Sequence, residues 1–176
     1  SYEDVPEAFS IEDKVDVPAG QYWYHEVDLS ARPPDGWLFR PEVELEAGSF
    51  FDGSKYSFEA ESTWNLSRFF ELNGEYQLNF IRFPDRDQNL TLHLARLRVQ
   101  AALNTKASLR AFFQFNSGAE LGSLNLRFRY NFREGNDLWL VYNEGINTDR
   151  NQLTGPRLPR SDSRSLMVKY TYTFIR

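Results

Sequence analysis

The chain has no cysteine, which removes disulfides, zinc–thiolate sites and thiol nucleophiles from consideration. Its only histidines are His25 and His93, so histidine-based metal binding or catalysis has little to draw on. No stretch approaches the roughly 18 consecutive apolar residues of a membrane helix, and no segment repeats apolar residues at the helical period. Excess positive charge is lacking too. The net charge of −5 disfavours nucleic acid, which selects a basic footprint. Neither an initiating methionine nor a signal peptide stands at Ser1, so a processed form or a fragment is expected and the compartment is not encoded in a leader. The mean hydropathy of −0.58 would mark a soluble protein on a helix-based scale. That scale is blind to membrane barrels, whose alternating strands average out polar.

What the chain does have is aromatic residues, 16% of the total and mostly Phe and Tyr, both suited to strands. Residues 1–36 read as an acidic connector. Glu3, Asp4, Glu7, Glu12, Asp13 and Asp16 crowd its first part, broken by Pro6 and Pro18. Residues 21–31 are a candidate additional strand with poor alternation, and Arg32-Pro33-Pro34-Asp35-Gly36 is a turn.

From residue 37 to 176 the pattern is regular, with eight runs of period-two alternation. Val43, Leu45 and Ala47 oppose Glu42, Glu44 and Glu46 in the first run. Tyr56, Phe58, Ala60, Trp64 and Leu66 form the apolar side of the second, and Phe70, Leu72, Tyr76, Leu78 and Phe80 that of the third. The fourth run, Asn89 to Leu103, slips phase: Leu90, Leu92 and Leu94 share one parity, Leu97, Val99, Ala101 and Leu103 the other. Either a bulge near Ala95 reconciles them or the first half extends beyond whatever buries the second. Leu109, Ala111, Phe113 and Phe115 mark the fifth run, and Leu124, Leu126, Phe128, Tyr130 and Phe132 the sixth. The seventh, Asp137 to Glu144, is apolar on both faces through Trp139 and Val141. The eighth, Ser165 to Arg176, places Leu166, Val168, Tyr170, Tyr172 and Phe174 on one face. Short links predict an antiparallel sheet. Most runs match the roughly 9–11 residues with which a tilted strand crosses a bilayer.

The expected fold is therefore all-β, an antiparallel up-and-down transmembrane β-barrel of about eight strands, alone or within a larger barrel. The competing fold is a soluble lipocalin-like barrel that turns the same face inward around a small apolar ligand. Three features favour lipid. The apolar inventory is too bulky for an eight-stranded interior, which is only wide enough for its own side chains or one small ligand. Aromatics fall near the strand ends in two girdles: Trp64, Phe70, Tyr130, Phe132, Tyr172 and Phe174 toward one rim, Phe51, Tyr56, Phe80, Phe113, Phe115 and Tyr142 toward the other. Links also alternate in length, short at 67–68, 104–105 and 133–136 and longer near 84–88, 117–122 and 145–164, as in outer-membrane barrels.

The other face carries a charge ladder. Glu42, Glu44, Glu46, Glu59, Glu61, Glu71 and Glu75 come from the first three strands, and Arg96, Arg98, Arg110, Arg127 and Arg129 from the next three. Buried charges must pair. A narrow closed barrel would therefore hold a salt-bridged plug, and a wider one a water-filled lumen with a transverse field.

Catalytic readings find little support. His93 with Ser49 or Ser117 lacks a hydrolase motif. Glu42 and Glu44 invite a glycosidase pairing but continue as a ladder. Asp149 and Asp162 lie in a loop without EF-hand spacing, and Trp139 and Tyr142, which could stack on sugars, sit in a strand. Neither an enzymatic activity nor a cofactor nor a metal site is expected.

The final strand resembles the closing strand of bacterial outer-membrane barrels, the segment read by the barrel-assembly machinery, although Ile175 and Arg176 follow the last aromatic. From about residue 18 the chain also resembles an uncharacterised C-terminal barrel domain. In large Gram-negative outer-membrane proteins that domain follows a family-nine-like carbohydrate-binding domain. The segments that carry the likeness are Pro18-Ala19-Gly20-Gln21-Tyr22, Glu46-Ala47-Gly48-Ser49-Phe50-Phe51-Asp52-Gly53, Leu124-Asn125-Leu126-Arg127-Phe128-Arg129-Tyr130 and, most specific, Gly135-Asn136-Asp137-Leu138-Trp139-Leu140-Val141-Tyr142-Asn143-Glu144-Gly145. The resemblance implies an outer-membrane location, contact with membrane lipid and the assembly machinery, and a role as anchor or pore-forming part of a longer surface protein linked to glycans. An accessory barrel that docks another membrane subunit is the further alternative.

Overall fold

Period-two alternation carried over long runs, with hairpin-length links between them, yields one large sheet in the computed structural model. The structure describes residues 1–11, 14–34, 36–151 and 156–174. The sheet comprises β5 (Glu26–Ala31), β6 (Phe39–Phe50), β7 (Gly53–Ser67), β8 (Phe70–Phe83), β9 (Gln88–Ala102), β10 (Ala107–Asn116), β11 (Leu121–Arg133), β12 (Asn136–Asn147) and β13 (Ser161–Thr171). These nine strands follow in sequence order, each antiparallel to the next. Among the described residues there is no α-helix, only a 3-10 turn at Pro84–Arg86. The fold is thus all-β and antiparallel. The sheet is open, with β5 and β13 as its two edges.

The register keeps one face apolar from edge to edge. Leu29, Leu45, Phe58, Leu78 and His93 form one cross-strand row. Another runs Phe39, Trp64, Leu72, Val99, Ala111, Leu126, Tyr142, Leu166. Such cross-strand pairs are the unit of sheet stabilisation. One slipped residue would exchange the two faces of a strand, so the shared apolar face fixes the register.

Strand β9 keeps its register through Leu94, Ala95 and Arg96 on both sides. No bulge forms at Ala95, and the phase slip has the other origin: Leu90, Leu92 and Leu94 lie on the charged face. Register shifts occur instead at Asn65/Ser67, Asn131/Arg133 and Gly145/Ile146.

The reason for the misplaced leucines lies in the first 25 residues, which are not an irregular connector. Strands β1 (Tyr2–Val5) and β4 (Gly20–Trp23) pair, as do β2 (Phe9–Ile11) and β3 (Val15–Val17). Val5, Val15 and Val17 are buried. Val15 joins Ile81, Phe83 and Leu90 in a core, with Ile11, Phe50, Phe51 and Leu92 packed against it. The segment therefore covers one end of the charged face, and the apolar residues of β8 and β9 there are its floor. The expected strand 21–31 splits into β4 and β5 around Tyr24 and His25. Glu12 and Asp13 of the acidic run, Asp35 of the proline turn, and Ile175 and Arg176 lie outside the described residues.

Links alternate between two rims, but their lengths differ less than expected. One rim has residues 51–52, 84–87, 117–120 and 148–160, the other 32–38, 68–69, 103–106 and 134–135. The longest link, 148–160, is on the first rim, and the next longest, 32–38, is on the other. The link at 103–106 equals those at 84–87 and 117–120, and 51–52 is as tight as any. In the tight link 134–135, Gly135 has φ +75, which its missing Cβ permits. A Cβ there would also come within 2.6 Å of Thr173.

Candidate functional site: the two faces of the sheet

All twelve ladder residues fall on the same face. Glu42, Glu61, Glu75 and Arg96 share one cross-strand row, and Glu44 and Glu59 a neighbouring one. Glu71, Arg110 and Arg127 share another, joined through Gln100. In the sheet the acidic block (β6–β8) and the basic block (β9–β11) adjoin side by side. They meet at the β8–β9 seam, where Arg96 pairs with Glu75 and the Gln100 amide donates to Glu71 at 2.8 Å. Within the blocks, like charges sit directly opposite: Glu44 on Glu59, Glu61 on Glu75, Arg110 on Arg127. Such pairs oppose sheet pairing, and local partners offset them. The Lys55 ammonium donates to Glu46 at 2.9 Å, the Asn73 amide to Glu61 at 2.9 Å, and the Arg129 guanidinium to Asp137 at 2.9 Å.

Two aromatics, Phe112 and Trp139, lie on this face among the arginines. Arg98 lies 5.7 Å from the Phe112 ring centre and Arg129 5.3 Å from that of Trp139, within reach of cation–π attraction. Their signal was in the sequence as parity: Phe112 and Trp139 have the phase of Arg110 and Val141, opposite to the girdle.

The N-terminal segment closes the loop-side end of this face. Arg86 is its fastener. Its guanidinium donates to the Asp16 carbonyl and, at 2.6 Å, to Asp52, while lying 4.2 Å above the Phe83 ring. Lys14 reaches Glu120 at 3.4 Å. Tyr24 donates to Glu3 at 2.8 Å. Burial first, then this bond and the nearby Glu3 charge, push its hydroxyl up to about 12.

The apolar face holds most of the expected girdle. Tyr56, Trp64, Phe70, Phe80, Phe113, Phe115, Tyr130 and Tyr142 all share its register. Phe51 does not. It sits in the 51–52 turn with φ 52 and stacks edge-on with Phe9, Tyr22 and Tyr24, so it anchors the N-terminal segment. Phe132 lies within the β11 irregularity, 6.1 Å from Tyr170. Strand β13 ends at Thr171, so Tyr172 and Phe174 follow it, their rings 4.6 Å apart.

Both faces mix exposed and half-buried side chains. On the apolar face Leu29 is 66% exposed, Tyr56 53% and Val168 63%. On the charged face Glu75 and Glu46, both ion-paired, are 19% and 27% exposed at the side chain, while Glu44, Glu61, Arg98, Arg110 and Arg127 are exposed and Leu72, Val99 and Leu126 of the apolar face are half-buried. The accessible surface totals 12566 Å², against about 8,900 Å² for a compact soluble monomer of this mass. A soluble domain packs its sheet under a second layer. Among the described residues nothing covers this apolar face.

The candidate catalytic groups do not assemble. The His93 ring meets the Tyr76 hydroxyl at 2.8 Å, while the Ser117 hydroxyl accepts from the His93 backbone N–H. Ser49 binds the chain at His25 and Trp23. Asp149 caps the Asn151 N–H. Among the described residues no group of three or more His, Asp or Glu has metal-binding spacing, and no helix is long and apolar enough to cross a membrane. A scan of protein-family models found none that matches the chain, and a search of curated proteins found no match either.

Proposed function

We propose that the sheet is the membrane-spanning wall of a Gram-negative outer-membrane β-barrel, a non-catalytic anchor or pore-forming part of a larger surface protein. The uncovered apolar face carries this reading. It runs without interruption across nine strands, and water would leave it exposed over an area that soluble monomers avoid. Lipid satisfies it, as it does the outward band of barrels flanked by aromatics. The opposite reading turns the apolar face inward around a small ligand. The N-terminal segment argues against it, because it packs over one end of the charged face. The link to glycans comes from the family resemblance alone.

Membrane fractionation followed by detergent extraction tests the proposal. The chain should partition with outer membranes, need detergent to stay dispersed and give β-type circular dichroism. Boiled and unboiled samples then report closure on a gel. A monodisperse protein in detergent-free buffer would overturn the lipid-facing assignment.

A further inference from the structure

We propose that the charged face of β9, β10 and β11 binds a small organic polycarboxylate through Arg98, Arg110, Arg127 and Arg129. Such recognition goes beyond the membrane reading and does not rest on it.

Strand register gathers the four arginines around one of them. Arg110 lies directly opposite Arg127 and diagonal to Arg98 and Arg129. Directly opposite residues are about 5 Å apart at their Cα atoms and diagonal ones about 7–8 Å. Strands β9 to β11 contain no Asp or Glu, so nothing within them neutralises the cluster. Arg129 has Asp137 of β12 as its partner. Among the described residues Arg98, Arg110 and Arg127 have no carboxylate partner, and all three are exposed. Like charges directly opposite oppose sheet pairing, and an anion seated between Arg110 and Arg127 would offset that cost. A guanidinium presents paired N–H donors in a planar fork that a carboxylate accepts bidentately.

The surroundings narrow the occupant. The basic block is three strands wide, about 10 Å at a strand spacing of about 4.8 Å, and the acidic strands border it on β8. A long polyanion crossing the strands would overlie Glu71 and Glu75, whereas a small solute stays on the arginines. An inorganic anion would use the guanidinia alone, and the face offers more than those. The Phe112 and Trp139 rings lie beside Arg98 and Arg129. Asn125 is directly opposite Phe112, and Gln114 follows two residues on. Rings take a carbon skeleton, and amides take its hydroxyl or carbonyl groups.

Calorimetric titration of the full chain with citrate tests the assignment, in detergent or in buffer according to which keeps the protein dispersed. Citrate should bind, and acetate should not compete. Arg110→Gln and Arg127→Gln should each weaken binding roughly tenfold or more, as the loss of a charge-assisted pair requires. Arg40→Gln removes the same charge from the same face, in the row of Arg98 but outside the block, and should change affinity less than about twofold because solvent screens it. Hydrogen exchange on the same proteins shows that the variants fold. Without citrate, Arg110→Gln should leave β10 and β11 at least as protected as in the parent, since it relieves the like-charge pair; citrate should add protection there in the parent and far less in the variant. Absence of citrate binding, the result expected if these arginines pair with the acidic block across a closed wall, would overturn the proposal. So would equal losses from Arg110→Gln and Arg40→Gln, or pyrophosphate binding as tightly as citrate. Each of those results leaves the membrane reading standing, and recovery of the chain without detergent would overturn that reading while leaving citrate binding intact.

Discussion

Replacing Val15 with alanine should release the N-terminal segment while leaving the large sheet intact. Val15 is 2% exposed and touches the Ile81, Phe83 and Leu90 floor. Removing its two methyl groups forfeits about 1.6 kcal/mol of burial at ~0.8 kcal/mol each. A residual cavity raises the loss to about 2–3 kcal/mol. At about 1.4 kcal/mol per tenfold, the opening equilibrium of β2 and β3 should rise roughly thirty- to hundredfold. Native-state hydrogen exchange reads this directly: amides of residues 9–11 and 15–17 should lose that much protection, while β7 to β11 keep theirs. Lys14→Ala is the contrast. Its ion pair with Glu120 is 3.4 Å long and 44% exposed on both sides, a class worth about 0–1 kcal/mol, so protection should fall less than about fivefold. Equal effects from the two substitutions would refute the apolar clamp, as would uniform loss of protection across the sheet.

Leu126→Arg, on the apolar face, should reduce recovery of membrane-integrated protein, since a cation at mid-bilayer costs roughly 2–4 kcal/mol; Asn125→Arg on the opposite face should not, and equal tolerance in fractionation would count against lipid contact. Gly48→Ala should free β5 from β6 through the clash with the His25 carbonyl, read as faster exchange of Glu26 to Ala31 with β7–β8 unchanged. Tyr24 ionises near pH 10 when unfolded and near 12 when folded. The raised value means its contribution is fully present below pH 10 and lost between about 10 and 12. Ultraviolet tyrosine titration should show a late-ionising component accompanied by loosening of the N-terminal segment, and Tyr24→Phe should diminish that component.

Strand positions from β6 to β12 were readable because strand alternation is a strictly local signal, and one apolar face repeats it from strand to strand. The twelve charged residues share a face for the same reason. What escaped was long-range. Leu90, Leu92 and Leu94 violate their strand's phase, and the sequence alone does not connect them to Val15, more than seventy positions away. Val15-Asp16-Val17 is too short a strand to stand out from an acidic context. Phe51 looked like a girdle residue because aromatic type and rim position matched; its positive φ, which turns it toward Phe9 and Tyr24, is a backbone property that no spacing announces. Whether a sheet closes depends on strand parity and on partners beyond its edges, and alternation is silent on both.

The cover over the charged face also has a kinetic consequence. Neighbouring strands of the meander meet through links that are nearly all short, so their contacts close small loops at little entropic cost. The contact of Val15 with Ile81 and Leu90 spans most of the intervening meander, and its floor exists only once the β8–β9 hairpin has formed. Low-separation contacts form fastest, which orders the events: sheet first, cover last. Until then Ile81, Phe83, Leu90 and Leu92 form a bare apolar patch on an otherwise charged surface. That interval is when the chain is most exposed to misassociation, and pulse-labelled exchange during refolding should find residues 9–17 protected after β8 and β9.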